Sequence, residues 1–184
     1  MRLLFHCCCG PCAAGCIESL KSEGTDYSLF WYNPNIHPYT EYINRRDSLA
    51  QLAAAENIQL NMIDEYGLRE FIQLVRDTVD KGPKSTDAQR CLLCYRMRLE
   101  KTAFYAKMFA YNTFSTSLLI SPYQRHEEIR KIGEEIAERY SIPFFYRDFR
   151  PHFREGQKKA RNAGLYMQKY CGCIFSEEER YNEE

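Results

Sequence analysis

The sequence predicts an α/β protein whose single, mainly parallel sheet has five strands and is flanked by helices. Short apolar or aromatic runs alternate along the chain with longer segments of helical periodicity. This alternation is typical of strand–helix–strand units, whose parallel sheet is covered on both faces. The 184 residues, of which 45% are hydrophobic, suffice for one full core but are few for two. We therefore expect residues 1–184 to form one domain.

The first half of the chain gives three predicted strands and two helices. The run Arg2–His6 is short and mostly apolar, as expected of a buried strand, and Gly24 lies just past the helix that follows. The next run is rich in aromatic residues and is cut off by the turn sequence Asn33-Pro34-Asn35. In chain order, the predicted elements are strand 2–6, helix 13–22, strand 27–32, helix 40–57 and strand 58–63.

The second half continues the alternation and ends in a basic helix. Lys81-Gly82-Pro83-Lys84 separates two helices, and Ser121-Pro122 ends a β-rich run. The last helix leads into Cys171 and Cys173, so residues 153–176 are expected to form a C-terminal helix with a Cys-Gly-Cys segment. The predicted elements are helix 68–79, helix 85–111, strand 113–120, helix 126–140, strand 143–147 and helix 153–170.

Nine cysteines, most of them in three groups, are the strongest functional signal in the sequence. The chain begins without an apolar run long enough for a signal peptide or a membrane span, so we expect a cytoplasmic protein. In a reducing cytoplasm, cysteines bind metals or carry out redox chemistry more often than they form structural disulfides. The groups are Cys7-Cys8-Cys9 with nearby Cys12, then Cys91-x-x-Cys94, and finally Cys171-Gly172-Cys173.

The first two groups together provide four thiolates from separate segments, which is what an iron–sulfur cluster needs. We expect Cys8, Cys9, Cys91 and Cys94 to be these ligands. A structural zinc ion in the same four sulfurs is the alternative. Structural zinc sites use spaced cysteine pairs, so the adjacent Cys8 and Cys9 favour the iron–sulfur interpretation.

The remaining cysteines of the three groups have separate predicted roles. Cys12 opens the first helix, and we expect it to bind a second metal ion together with Asp87 or His6. One residue separates Cys171 from Cys173, so a disulfide between them closes a small, strained ring that is easily reduced. This pair is therefore a candidate two-electron store; the alternatives are two metal ligands or two buried thiols.

Loops that follow the strands of a parallel sheet meet at one edge, where proteins of this class place their sites. The loops at 7–9, 33–35, 121–123 and 147–151 should therefore converge. The 33–38 stretch also holds its polar side chains on a backbone stiffened by two prolines. We expect five side chains of these loops to bind the substrate: Asn33, Asn35, His37, Tyr123 and Arg150. By placement, the candidates for a general acid are Asp148, His37 and His126.

The charge pattern bears on nucleic-acid and nucleotide binding. The 25 lysines and arginines balance 25 acidic residues, which argues against a protein that coats nucleic acid through its overall charge. Basic residues interleaved with aromatic ones in the C-terminal part nonetheless suit a single-stranded nucleic-acid loop. Gly10-Pro11 lies where a phosphate-binding loop would be expected, but no G-x-x-x-x-G-K-[ST] pattern is present. We therefore expect no use of ATP.

Six unusual motifs follow one another along nearly the whole chain, from residue 6 to about residue 176. They are His6-x-Cys8-Cys9-Gly10-Pro11-Cys12, Tyr32-Asn33-Pro34-Asn35-Ile36-His37-Pro38, Arg90-Cys91-x-x-Cys94-Tyr95, Ser121-Pro122-Tyr123-Gln124-x-His126, Phe149-Arg150-Pro151 and Tyr170-Cys171-Gly172-Cys173. In this order they resemble the cobalamin-independent epoxyqueuosine reductases, the QueH family. Cys7 falls at a variable position of that pattern.

The resemblance implies a catalytic domain with a fold like the adenine nucleotide alpha hydrolases, that is, HUP-like. It implies the last step of queuosine biosynthesis, in which the epoxide of epoxyqueuosine in a tRNA anticodon loop is reduced to the cyclopentene of queuosine without cobalamin. It implies that Cys8, Cys9, Cys91 and Cys94 hold a [4Fe-4S] cluster, with room for an adjacent iron ion. Cys171 and Cys173 would form a redox-active disulfide. The expected partners are tRNA carrying epoxyqueuosine and an electron donor that the sequence does not identify, with no membrane.

Two other functions are compatible with the same residues. A tRNA-thiolating enzyme of similar topology would also use clustered cysteines, but it needs ATP, and the missing phosphate loop argues against it. A zinc-stabilised RNA-binding module without catalysis would be colourless and hold about one zinc ion per chain. Colour, metal content and ATP dependence therefore separate the three functions.

Overall fold

A sheet of four parallel strands lies at the centre of the molecule. The computed structural model describes residues 1–78 and 87–182, apart from the side chains of Asp87 and Ala88. The strands are β1 Arg2–His6, β2 Asp26–Trp31, β3 Leu60–Met62 and β4 Thr113–Thr116. They lie side by side in the order β3-β2-β1-β4, and every pairing is parallel. The direction of winding therefore reverses between β1 and β4, the position at which sheets of this type place a site.

Helices cover both faces of the sheet. In the described residues they are α1 Gly10–Ser22, α2 Tyr39–Ala55, α3 Leu68–Thr78, α4 Asp87–Met108, α5 His126–Tyr140, α6 Phe153–Asn162 and α7 Ile174–Tyr181. α1 packs against α2 and α6, whereas α4 packs against α5, β1 and β4. Leu3, Leu4, Phe5 and His6 of β1 are fully buried, as expected of an inner strand covered on both sides. None of these helices is both long and apolar enough to cross a membrane.

The predicted α/β class with a parallel sheet is confirmed. The strand Arg2–His6 and the helix His126–Tyr140 have the predicted bounds. α1 begins at Gly10 rather than at residue 13, because Pro11 fits the first helical turn, where its missing N–H has no bond to lose. The predicted chain break at 81–84 lies outside the described residues.

The predicted fifth strand, 143–147, is wrong in the described structure. The segment makes an isolated parallel bridge between Phe114 and Phe144, supported by hydrogen bonds from Phe114 N to Pro143 O (3.1 Å) and from Phe145 N to Phe114 O (2.8 Å). The predicted strand 113–120 is too long, because β4 ends at Thr116. Thr116 Oγ1 accepts a hydrogen bond from Leu118 N (3.1 Å), and the 3₁₀ helix Ser117–Ile120 begins there.

The predicted basic helix 153–170 is also too long. α6 ends at Asn162, and Gly164 follows with a φ of +67°, a left-handed conformation that glycine adopts readily at a helix end. The chain from there to Cys173 is irregular. α7, which was not predicted, begins directly after Cys173, whose Sγ accepts a hydrogen bond from Ser176 N (3.4 Å) as its N-cap.

Candidate active site

The site lies at the carboxyl ends of β1 and β4, where the order of the strands reverses. His6 ends β1, and the next three residues, all cysteines, lead into α1. Cys9 is the N-cap of α1, and its Sγ accepts a hydrogen bond from Cys12 N (3.4 Å). Cys8 is tied to the end of β4, because its N–H donates to Ser117 Oγ (3.2 Å).

Three sulfurs meet at this position. The Sγ atoms of Cys8, Cys9 and Cys12 lie within 4.8 Å of one another, and all three residues are buried. Hydrogen bonds from the thiols of Cys12 and Cys9 hold the pKa of Cys8 well below its usual value, and the charges of Arg98 and Arg45 act in the same direction. The group therefore loses its first proton easily, and it presents three soft donors to a metal.

A second pair of sulfurs, Cys91 and Cys94, lies in the first turns of α4. Neither sulfur belongs to the group of three within 4.8 Å. Burial raises the pKa of Cys91 to about 11 and that of Cys94 to about 12. Arg98, one turn further along α4, donates from Nη2 to Cys94 Sγ (3.1 Å) and from Nε to Cys94 O (3.1 Å).

The third pair, Cys171 and Cys173, is divided between two environments. Both thiols are free. Cys171 is exposed and lines a cavity, whereas Cys173 is buried and packs in a small cluster with Cys94 and Phe71. Arg45 holds the backbone of this segment, because Nη1 donates to Cys171 O and Nη2 to Tyr170 O, both at 2.8 Å.

Two buried arginines connect the three sulfur groups electrostatically. Arg45 is 1% exposed and forms an ion pair with Glu41 (2.6 Å). Arg98 is 2% exposed, and within residues 1–78 and 87–182 its hydrogen bonds go to Cys94, with no carboxylate in ion-pair range. The charge of each arginine lowers the pKa of both Cys8 and Cys171. Positive charge is thus concentrated among the cysteines, where it stabilises thiolates and any other anion.

A cavity of about 320 Å³ opens onto the first and third sulfur groups, since Cys8, Cys12 and Cys171 all line it. Tyr123, on its wall, is 85% exposed and meets Phe153 edge to face, with ring centroids 6.4 Å apart. Carboxamides complete the wall. Gln168 Nε2 donates to Cys12 Sγ and Gln124 Nε2 to Cys171 Sγ, each at 3.3 Å.

Of the five predicted substrate-binding residues, Tyr123 lines this cavity and the other four do not. Asn33 is buried, donates to Cys7 O (2.9 Å) and contacts the ring of His6 (3.2 Å). His37 is buried against Pro34 and Ile174, and Asn35 is buried with an unpartnered Oδ1 among the described residues. Arg150 is half-exposed and forms an ion pair with Asp148 (2.6 Å).

The candidates for a general acid are deprotonated at neutral pH. Hydrogen bonds from Arg150 lower the pKa of Asp148 to about 2. Burial lowers the pKa of His37 to about 4 and lowers that of His126 as well. The predicted metal ligand Asp87 begins α4, but its side chain lies outside the described part.

Sequence reasoning assigned no role at the sulfurs to Arg98, Gln124 and Gln168, which donate hydrogen bonds to them, or to Arg45, whose charge acts on them. A signal existed for Arg98, which follows Cys94 by four residues and so shares its helix face. Glu41 and Arg45, which form an ion pair, are likewise four residues apart on one helix face. Gln124 stands in one of the six motifs and Gln168 in none, but neither position indicates a contact with a sulfur, because both side chains reach the sulfurs across the fold.

The sequence matches one protein family over nearly its whole length. The sequence model of a family described as "Epoxyqueuosine reductase QueH" matches residues 3–179. Proteins with that name from Dehalococcoides mccartyi and Thermotoga maritima are 36% and 35% identical, covering 98% and 97% of this chain and 94% and 91% of their own. The structure is similar to a deacetylase crystallised with teicoplanin, with a TM-score of 0.47, 11% identity, and coverage of 89% of this chain and 86% of that one.

Proposed function

The chain belongs to the epoxyqueuosine reductase QueH family, and we propose from this membership how its cysteines and cavity take part in the family reaction. The protein is an oxidoreductase that acts on tRNA and reduces epoxyqueuosine. The reaction removes the epoxide oxygen as water and leaves the cyclopentene of queuosine. This reduction consumes two electrons and two protons. We propose that the modified nucleoside lies in the anticodon loop of the tRNA and that it enters the cavity of the protein.

We propose that Cys8, Cys9, Cys91 and Cys94 hold a [4Fe-4S] cluster, with Cys12 and Asp87 available to an adjacent iron ion. A cluster with four thiolate ligands is an anion, and when bound it supplies electrons one at a time. The observation that supports an anionic metal group at these cysteines is the position of Arg98, and family membership favours the iron–sulfur cluster over zinc. A buried cation without a carboxylate partner is costly, and Arg98 lies against Cys94 with its charge reaching Cys8. The three packed sulfurs of Cys8, Cys9 and Cys12 also fit a metal, since soft thiolates bind iron and zinc.

We propose that Cys171 and Cys173 supply the electron pair in the net reaction. Two thiols become one disulfide, which releases two electrons and two protons, and the epoxide takes up both and loses its oxygen as water. In the net reaction, one epoxide and two thiols give one alkene, one disulfide and one molecule of water. Cys171 opens onto the same cavity as Cys8 and Cys12, which supports this role.

We propose that Tyr123 stacks on a base of the tRNA loop at the cavity mouth. An aromatic side chain this exposed is costly in water and is typical of a stacking surface for unpaired bases. Arg150 is half-exposed beside its ion-pair partner Asp148, and we propose that it contacts a phosphate of the tRNA. We assign the buried Asn33, Asn35 and His37 to holding the loops around the cavity rather than to direct contact.

The first test is anaerobic purification followed by measurement of visible absorption, iron, sulfide and zinc. We expect a brown protein with about four iron atoms and matching sulfide per chain, and loss of colour on Cys94→Ser. The same preparation, given a reductant and tRNA carrying epoxyqueuosine, should yield queuosine when the tRNA is digested and its nucleosides are separated by mass. A colourless protein with stoichiometric zinc and no conversion would instead support an RNA-binding module.

A further inference from the structure

One face of α6 carries three exposed cations, Arg154, Lys158 and Arg161. Within residues 1–78 and 87–182, the side chain of none of them makes a hydrogen bond or an ion pair. They are spaced four and three residues apart, so their side chains follow one another along one side of the helix. We call these three residues the basic stripe.

The side of α6 that faces α1 holds its charges differently. Gly156 is buried against α1, and Lys159 forms an ion pair with Glu18 of that helix. Glu155 and Lys158 line the groove between the two helices. These negative charges therefore lie on the α1 side of α6, away from the two arginines of the stripe.

The other flank of α6 borders the cavity of about 320 Å³ that contains Cys8, Cys12 and Cys171 in its wall. Phe153 and Gln157 of α6, which are four residues apart, both line this cavity. Arg161 follows Gln157 by a further four residues, so it continues the same row beyond the cavity wall. The basic stripe therefore begins beside the cavity and runs away from it along the surface.

The stripe has the chemistry of a site for a duplex backbone rather than for unpaired bases. A helix rises about 1.5 Å per residue, so the stripe is about 10 Å long, which matches about three phosphates of one strand. The other exposed residues of α6, Glu155 and Asn162, are not aromatic, so the stripe offers charge without a stacking surface. The cavity mouth differs, because Tyr123 and Phe153 provide two rings there.

We propose that the basic stripe binds backbone phosphates of the anticodon stem while a nucleoside of the loop occupies the cavity. The inference rests on the proposed entry of that nucleoside into the cavity, and it assigns a second surface of the protein to the same tRNA. Each cation replaces a counterion at a phosphate oxygen. The stripe contacts no base, so its contribution to binding does not depend on the sequence of the stem.

The test is the salt dependence of binding between the anaerobically purified protein and an anticodon stem–loop RNA, followed by fluorescence anisotropy over about 0.05 to 0.25 M KCl. Replacing all three stripe residues by glutamine should reduce the slope of log K against log salt by about 2–3, since each lost phosphate contact accounts for about 0.7–0.9. The affinity at low salt should fall about tenfold or more. The KM for tRNA should rise accordingly and kcat should stay the same, because the stripe does not touch the reacting atoms.

The matched control removes three positive charges from exposed positions on α4 and α5, which pack against each other, whereas α6 packs against α1. Its substitutions are Lys107→Gln, Lys131→Gln and Arg139→Gln. The control should keep the wild-type slope. A second variant, in which lysine replaces both arginines of the stripe, keeps the charges and should also keep the slope. If the triple stripe variant folds poorly, Lys158→Gln alone should reduce the slope by about 0.7–0.9.

Three results would overturn the proposal: a wild-type slope in the stripe variant, an equal loss of slope in the control, or an equal loss for a linear RNA of the loop sequence alone. Binding of polyglutamate that depends on the stripe, with RNA binding unchanged, would assign the stripe to an acidic protein and also overturn it. Reduction of epoxyqueuosine is measured separately. A wild type that binds the stem–loop through the stripe but forms no queuosine would count against the proposed function alone.

Discussion

At the scale of single residues, Arg98 decides how the cysteines are to be interpreted. Its guanidinium is 2% exposed and contacts Cys94 by two hydrogen bonds, and the structure of residues 1–78 and 87–182 gives it no carboxylate. Such a charge destabilises a protein by several kcal/mol unless an anion compensates it. A structural zinc site with four thiolates and an iron–sulfur cluster both provide that anion. Without a metal, the thiolate of Cys8, which the charge of Arg98 favours, compensates only part of this charge.

Replacing Arg98 by methionine should therefore affect the metal-loaded and metal-free proteins in opposite ways. Loaded Arg98→Met should lose iron to a chelator about tenfold faster, because one charge at hydrogen-bond distance in a partly desolvated site is worth at least about 1.4 kcal/mol. The metal-free variant should be as stable as the metal-free wild type or more so. Iron release followed by absorbance, and urea unfolding of both forms, measure the two effects.

Arg96→Met is the control for this experiment. Arg96 lies on the same helix but forms a surface ion pair with Glu135 (2.6 Å), so its loss should leave iron retention unchanged. Equal rates of iron release from the two variants would show that Arg98 does not neutralise the bound group.

Gly172 is the second residue for which the structure makes a definite prediction. Its φ is +131°, and a Cβ there would lie 2.9 Å from Arg45 Nη1, the atom that holds the Cys171 carbonyl. Gly172→Ala should lower the free energy of unfolding by about 1–3 kcal/mol, and it should reduce turnover by displacing Cys171. Gly24→Ala, also at positive φ but with nothing within 4 Å, should cost about 1 kcal/mol and leave turnover unchanged. Equal turnover in both variants contradicts the prediction.

The cysteine spacing predicted part of the site geometry at this scale. Gly10 and Pro11 in the first helical turn make Cys9 the N-cap, and capping brings Cys12 back towards it, so their proximity follows from local rules. The positions of Cys91 and Cys94 relative to Cys8 depend on how α4 lies on the sheet. That placement is set by side-chain packing over many residues, which no local pattern contains.

At the scale of elements, the sequence predicted the four parallel strands and most of the helices, but not the ends of β4 and α6 or the presence of α7. β4 stops at Thr116, whose hydroxyl bonds forward to Leu118 N and also to His6 Nδ1 (2.9 Å). β-propensity over 113–120 could not reveal this, because the competing hydrogen bonds come from a side chain. α6 ends at Asn162, shortly before Gly164, despite a continuing polar pattern, and α7 depends on Cys173 as its N-cap.

The contact between α1 and α6 predicts the effect of one methyl group. A Cβ on Gly156 would lie 2.6 Å from the Cα and N of Gly15, and backbone atoms cannot move aside as side chains do. Gly156→Ala should push α6 away from α1 and lower the free energy of unfolding by about 1–3 kcal/mol. Because Phe153 at the start of α6 lines the cavity, the KM for tRNA should rise more than kcat falls.

Gly164→Ala is the control for the α6 displacement. Gly164 lies just past the end of α6 at positive φ, and nothing lies within 4 Å of its added Cβ, so this variant should lose about 1 kcal/mol of stability and keep the wild-type KM. If both variants have the wild-type KM, the position of α6 does not influence tRNA binding.

At the scale of the whole molecule, the rule that loops meet at the carboxyl edge of a parallel sheet explains how distant segments form the site. Asn33 after β2 bonds Cys7 after β1, and Phe149 N donates to Leu119 O (3.1 Å) near the end of β4. The segment around Cys171 does not follow a strand, so this rule does not predict that it reaches the site. It is joined to the sheet edge through Arg45 and His37, since His37 N donates to Gly172 O (2.7 Å).

His37 makes this junction sensitive to pH. Its Nδ1 accepts a hydrogen bond from Ile174 N (3.3 Å) and its Nε2 donates to Pro34 O (3.2 Å), an arrangement that requires the neutral ring. Burial accordingly lowers the pKa of His37 from 6.5 to about 4. Between these values the unfolded chain binds a proton that the folded protein does not, so folding stability falls as the pH is lowered.

The free energy of unfolding should therefore decrease by about 2 kcal/mol between pH 7 and pH 5 through His37 alone. His37→Gln removes this contribution, and because the other titrating groups, His6 among them, are the same in both proteins, they cancel in the difference. Urea unfolding of wild type and variant at the two pH values measures it. A difference between the proteins that does not change with pH would mean that His37 accepts a proton in the folded state, and that the bond to Ile174 does not hold the terminal segment.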